Sequence, residues 1–164
     1  MRILSVAIAA LAAAILLSPG LSSSDARADD RHEGYYYPEI TSTEEYRARV
    51  RKLRDSDRTR RLGFVTGMAA GSQEKAYAPQ MAFFAKGKDA EKAILIALDD
   101  GRMDTLYRAR AVLAMLTATA RATPVFRDLD PEGNYTFLDL LALLGFEQLT
   151  VSDGRTYAHR FEIR

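Results

Sequence analysis

The stretch that most constrains this chain is residues 104–121, DTLYRARAVLAMLTATAR. Leu106, Ala109, Leu113, Leu116 and Ala120 recur at helical spacing, with Val112 and Met115 beside them. Such a helix cannot stand in water and needs a second layer to bury its apolar side. Thr123-Pro124 ends it, because the residue before a proline is pushed out of the helical region. A second apolar helix is expected over residues 137–144, stopped by Gly145.

Strands supply the other layer. Residues 81–86 (MAFFAK) and 93–98 (AILIAL) are short apolar runs separated by the polar GKDAEK and closed by Asp99-Asp100-Gly101. They predict a hairpin, although residues 90–98 also have a helical composition. Leu62-Gly63-Phe64-Val65-Thr66-Gly67-Met68 predicts a further strand, followed by a loop over residues 69–80. Ser42-Thr43-Glu44-Glu45 has the form of a capping box. A helix is therefore expected from Ser42 through Tyr46, Val50 and Leu53 to Asp55-Ser56-Asp57. At the C-terminal end, a two-residue turn at Asp153-Gly154 would split the apolar residues between opposite faces. A three-residue loop, Ser152-Asp153-Gly154, pairs Leu149 with Tyr157 and Val151 with Arg155 and keeps them on one face. The expected fold is α+β: an antiparallel sheet of about five strands with about three helices.

The chain begins with Arg2, an apolar run over residues 3–17, Pro19-Gly20, and a polar stretch ending Ala26-Arg27-Ala28. That order reads as a cleavable signal peptide, residues 1–28, and implies a periplasmic protein. The run is too short for a membrane span, which needs about 20 apolar residues. An N-terminal arm, residues 29–41, and one domain, residues 42–164, are expected to follow. There is no Cys, which excludes disulfides, an acylated cysteine anchor and thiolate metal centres. Cleavage removes Arg2, Arg27 and Asp25 and leaves acids and bases balanced, which argues against a dedicated nucleic-acid binder.

Charge is nonetheless unevenly spread. Arg47, Arg49, Arg51, Lys52, Arg54, Arg58, Arg60 and Arg61 face only Asp55 and Asp57 in their segment. Arg47, Arg51, Arg54 and Arg58 are the candidate contacts for an unknown protein or anionic partner; the alternative is a solvated face. Tyr35, Tyr36 and Tyr37 precede Pro38 and are either aromatic pins for the arm or a stacking platform for a sugar or peptide.

Asp128, Asp130, Glu132 and Asp139 fall at positions 1, 3, 5 and 12 of a loop with Gly133 at position 6, the spacing by which an EF-hand holds Ca²⁺ with the carbonyl of residue 7, here Asn134. Pro131, the short Asp139 and Pro124 favour an acidic loop capping the next helix instead. No other cofactor is expected. For catalysis the imidazoles are His32 and His159, and the register above sets His159 opposite Glu147. The pair is either an acid–base site or an ordinary hydrogen-bonded histidine. Gly63, Gly67 and Gly71 lack the spacing of a phosphate loop, and there is no G-x-S-x-G.

HEGYYYPE, LGFVTG, AFFAKG and LDDGRMDTLYRARAVLAMLT together resemble a family of small exported bacterial proteins, over residues 31–164. Some members carry the name molybdopterin-guanine dinucleotide biosynthesis protein A. The resemblance implies export and a single domain. It transfers no catalytic residue, because Ala69-Ala70-Gly71-Ser72-Gln73-Glu74-Lys75 lacks the R-M-G core of the nucleotidyltransferases so named. The resulting expectation is a non-catalytic periplasmic binding or accessory module. A hydrolase or transferase using His159, Glu147 and residues 63–72 is the alternative.

Overall fold

A computed structural model describes residues 38–73, 80–99, 101–122, 124–130 and 132–164. The elements run β1 (Ser42–Tyr46), α1 (Arg58–Gln73), β2 (Met81–Lys86), β3 (Lys92–Ala97), α2 (Leu106–Arg121), α3 (Pro124–Leu129), α4 (Phe137–Leu143), β4 (Gln148–Ser152) and β5 (Ala158–Ile163). The strands form one sheet in the order β1-β5-β4-β3-β2. Mixed α and β content and five strands match expectation, but the sheet is mixed rather than antiparallel. β1 lies parallel to β5, and β3 parallel to β4. Parallel neighbours need a crossover connection, and α2, α3 and α4 fill the one between β3 and β4.

The core lies between one face of the sheet and the helices. Phe83, Leu95, Leu149, Val151, Phe161 and Ile163 meet Val112, Leu113 and Leu116 of α2 and Phe137 and Leu141 of α4. Phe64 of α1 completes it, with its ring 5.9 Å from Phe83 and 6.1 Å from Phe146. A smaller cluster on the opposite face joins Ile94 and Ala158 with Ile40, Phe84 and Ile96.

Several expectations held. β2 and β3 form the expected hairpin, with Phe83 opposite Leu95. α2 starts at the cap Thr105, whose hydroxyl accepts from the Arg108 amide, and α4 starts at Thr136 with a full capping box to Asp139. Gly145, at φ 79°, ends α4 in the left-handed conformation that glycine adopts without strain.

Three expectations are overturned, and the helix count is four instead of about three. The helix expected from Ser42 is the strand β1: Glu44 and Tyr46 are half-buried while Thr43 and Glu45 are exposed, which is an alternation of period two. Long-range pairing to β5 outcompetes the local capping box. The strand expected at residues 62–68 is the helix α1, which also takes in part of the expected loop. Asp57, expected to lie at a helix end, starts α1 by accepting from the Arg60 amide at 2.8 Å. Glycine in a helix costs about 1 kcal/mol relative to alanine; the packing of Phe64, Val65 and Met68 outweighs Gly63 and Gly67. α3, which begins at Pro124, is an unexpected helix, although proline suits a first helical position.

The C-terminal hairpin has a longer loop than expected. Leu149 pairs with Phe161 and Val151 with His159, so the loop covers residues 153–157. Asp153 organises it by accepting from the amides of Arg155, Thr156 and Tyr157 at 2.8, 2.9 and 2.9 Å. The shift in register is even, so the apolar residues stay on one face, but His159 lies opposite Val151 rather than Glu147. Among the described residues, no helix is long and apolar enough to cross a membrane. The expected signal peptide and Tyr35, Tyr36 and Tyr37 lie outside the described residues.

Candidate functional site: a pinned cationic loop and a buried histidine

Between β1 and α1 the chain runs irregularly over residues 47–57, and buried polar groups hold it from beneath. Asp139, fully buried at the third position of α4, reaches across to this segment. Its carboxylate accepts from the Arg49 amide (2.9 Å), the Tyr46 hydroxyl (3.0 Å) and the Thr136 amide (2.8 Å), and lies 3.2 Å from the Arg49 guanidinium. Burial pushes the Asp139 carboxyl upward. The donors from Arg49, Thr136 and Tyr46 outweigh burial and hold it below its ordinary value.

At the other end of the segment, Arg61 is buried and donates to four carbonyls: Asp89 (2.9 Å), Ser56 (3.1 Å), Gly145 (3.3 Å) and Leu144 (3.4 Å). Between these two anchors, the Leu53 amide donates to the Leu143 carbonyl at 3.0 Å.

The cations of this segment therefore divide in two. Arg61 is buried, Arg49 stays half exposed while pairing with the buried Asp139, and Arg60 pairs with Asp55. Arg47, Arg51, Lys52, Arg54 and Arg58 are exposed, and no ion pair engages them among the described residues. Four of these are the arginines singled out in the sequence, displayed on a pinned loop and the first residue of α1 instead of on a helix face.

The acidic loop spends its oxygens locally. Asp130 is buried and accepts from the amides of Asn134 (2.9 Å) and Tyr135 (2.7 Å), and Glu132 accepts from the Asn134 side chain at 2.9 Å. Asp128 is exposed, and Asp139 turns toward Arg49. Among the described residues, no three acidic, histidine or cysteine side chains are grouped to hold a metal. Millimolar Ca²⁺ is accordingly expected to leave the melting temperature unchanged. A rise that an Asp128→Asn, Asp130→Asn variant lacks would show that these oxygens converge on the ion.

His159 has other partners than the sequence suggested. Glu147 is exposed and lies about 13 Å along β4 from the residue that faces His159. Gly63, Gly67 and Gly71 lie within α1, so they form no loop that could cradle phosphate. What surrounds His159 is Ser42 and Glu44, both from β1. Ser42 Oγ is 2.7 Å from Nδ1, Glu44 Oε2 is 3.7 Å from Nε2, and Glu44 also takes Arg110 Nη2 at 2.6 Å. Burial lowers the His159 pKa; Glu44 opposes that shift and Arg110 adds to it. The same two charges act on the Tyr157 hydroxyl, raised by burial. Alternation along β1 brings Ser42 and Glu44 to one face, a signal that the capping-box reading concealed.

Beside Glu44 and Arg110 lies a pocket of about 270 Å³ floored by Leu113, Phe137, Leu138 and Phe161. A larger, shallower groove of about 530 Å³ includes Arg102 and Arg108, whose charges are met by Asp99 and Asp104. Comparison with family models, curated proteins and solved structures finds no match to this chain.

Proposed function

We propose that this chain is an exported periplasmic binding or accessory module that engages an acidic macromolecular partner through the loop of residues 47–58. The observation that carries this reading is the division of charge in that loop. Arg49 is committed to Asp139 and Arg61 to backbone carbonyls, while Arg47, Arg51, Lys52, Arg54 and Arg58 face solvent with no ion pair among the described residues. A loop already held in place loses little conformational entropy on binding, and unpaired cations steer an acidic partner toward it. The leader-like start of the sequence supports export, as does the resemblance to exported bacterial proteins.

The test is a variant with Arg47, Arg51, Arg54 and Arg58 all changed to glutamine. Capture of periplasmic proteins should weaken, and the salt dependence of the complex should flatten, since exposed charges act through a screened field. Exposed positions away from the core usually change stability by less than about 0.5 kcal/mol each, so folding should be retained. Equal capture by the variant and the parent at every salt concentration would end this reading.

A further inference from the structure

We infer that Ser42, His159 and Glu44 form an acyl-transfer site for small esters, with the acyl group lodged in the pocket beside Glu44 and Arg110. This goes beyond the binding role and does not depend on the cationic loop.

Three observations support it. Ser42 is exposed, yet its Oγ sits 2.7 Å from Nδ1 of a histidine that is only 2% exposed. The other nitrogen, Nε2, is buried with no hydrogen-bond partner and lies 3.7 Å from the Glu44 carboxylate. Leaving a buried polar atom unsatisfied costs about 1–3 kcal/mol, and here that atom faces a carboxylate. The third observation is the apolar pocket of about 270 Å³ that Glu44 and Arg110 help to line; Ser42 lies outside it, two residues before Glu44 on β1, about 7 Å along the strand. The pocket's size falls just below the roughly 300–1,000 Å³ of sites for drug-sized ligands and suits a short acyl chain.

The chemistry follows from the arrangement. The tautomer with its proton on Nε2 faces Glu44, leaving Nδ1 to accept from Ser42. Burial keeps the ring neutral at rest, so it is available as a base. Ser42 Oγ attacks the ester carbonyl as its proton moves to Nδ1, and Glu44 stabilises the imidazolium that forms. The tetrahedral species collapses by breaking the bond to the alcohol oxygen, which leaves with the proton from Nδ1. Water then attacks the acyl-serine and gives a proton to Nδ1. The carboxylic acid departs, and Ser42 recovers that proton.

Arg110, bonded to Glu44 at 2.6 Å, positions the carboxylate beside the imidazole.

The experiment exposes the full chain to a fluorophosphonate probe, in which Ser42 Oγ displaces fluoride from phosphorus, and follows p-nitrophenyl butyrate hydrolysis in parallel. Peptide mapping should find the adduct on Ser42. Ser42→Ala should abolish both signals, His159→Gln should slow labelling about 100-fold, and Glu45→Gln should leave it unchanged. Because His159 is buried, thermal unfolding must accompany that variant. Glu44→Gln, at a side chain 33% exposed, provides a second test if it misfolds: labelling should fall at least about tenfold with the melting curve intact. No adduct on Ser42 in the parent at large probe excess, or an unchanged rate in Glu44→Gln, would overturn the inference.

Discussion

Replacing Asp139 with alanine is expected to lower the stability of this protein by about 2–4 kcal/mol, from buried donors left without their acceptor and the lost helix cap; the pair with Arg49, whose side chain is half exposed, adds little. The carboxylate is fully buried. Its loss would strand the Arg49 and Thr136 amides that it now accepts from, and would leave the Tyr46 hydroxyl with the Thr136 hydroxyl alone. The same change removes the capping box of α4 and one of the two anchors of the cationic loop. A urea midpoint displaced by less than 1 kcal/mol equivalent would show that water or rearrangement replaces these bonds.

The pH dependence has a definite sign. Asp139 ordinarily titrates near 3.8 and is held lower in the folded chain. The unfolded chain therefore takes up its proton first as pH falls. The stabilisation is complete above the ordinary value and is lost as pH drops through the lowered native one. Asp139→Asn, of nearly the same shape, should be less stable at neutral pH and should flatten this acid limb. An acid limb identical to that of the parent would assign the acid sensitivity to other carboxylates.

What the sequence revealed divides along contact distance. α2, α4 and the β2–β3 hairpin were legible because each satisfies its own period with caps or turns a few residues away, as with Thr105, Thr136 and Gly145. β1 was not legible, because its partner strand lies far along the chain; Ser42 and His159 are separated by 117 positions. Ser42-Thr43-Glu44-Glu45 satisfies a capping box on paper, and only the fold diverts Ser42 to His159 and Glu44 to Arg110. α1 was missed for the opposite reason. Gly63, Val65, Thr66 and Gly67 are poor helix formers, and burial of Phe64, Val65 and Met68 overrides them. His159 pairs with Val151 instead of Glu147 because the hairpin loop spans residues 153–157, a length that the Asp153-Gly154 turn signal does not reveal. Arg49 and Arg61 cannot be told from their neighbours in composition, since only tertiary contacts bury Arg61 and bring Arg49 to Asp139.

Arg61→Ala is expected to cost about 2–4 kcal/mol, from the stranded carbonyls and the lost packing together. The guanidinium is 4% exposed and ties the loop before α1, the β2–β3 turn and the C-terminal end of α4 to one planar group. Helix ends leave carbonyls without intrahelical donors, and Arg61 supplies one to Leu144 and Gly145. Lysine cannot replace it. A single ammonium on a flexible stem lacks the fork that reaches Asp89 on one side and Gly145 on the other, so Arg61→Lys should lose more than half as much as Arg61→Ala. Gly145 is matched to the same contact: a Cβ there would sit 2.7 Å from Arg61 Nη1, and its φ of 79° lies in the left-handed region that favours glycine. Gly145→Ala should therefore destabilise through the same clip, and the double variant with Arg61→Ala should lose less than the two single losses combined. Urea midpoints decide the ranking, and limited proteolysis gives an independent readout, since release of the clip should speed cleavage within residues 47–57. A lysine variant as stable as the parent would show that charge alone, without the planar fork, holds the loop in place.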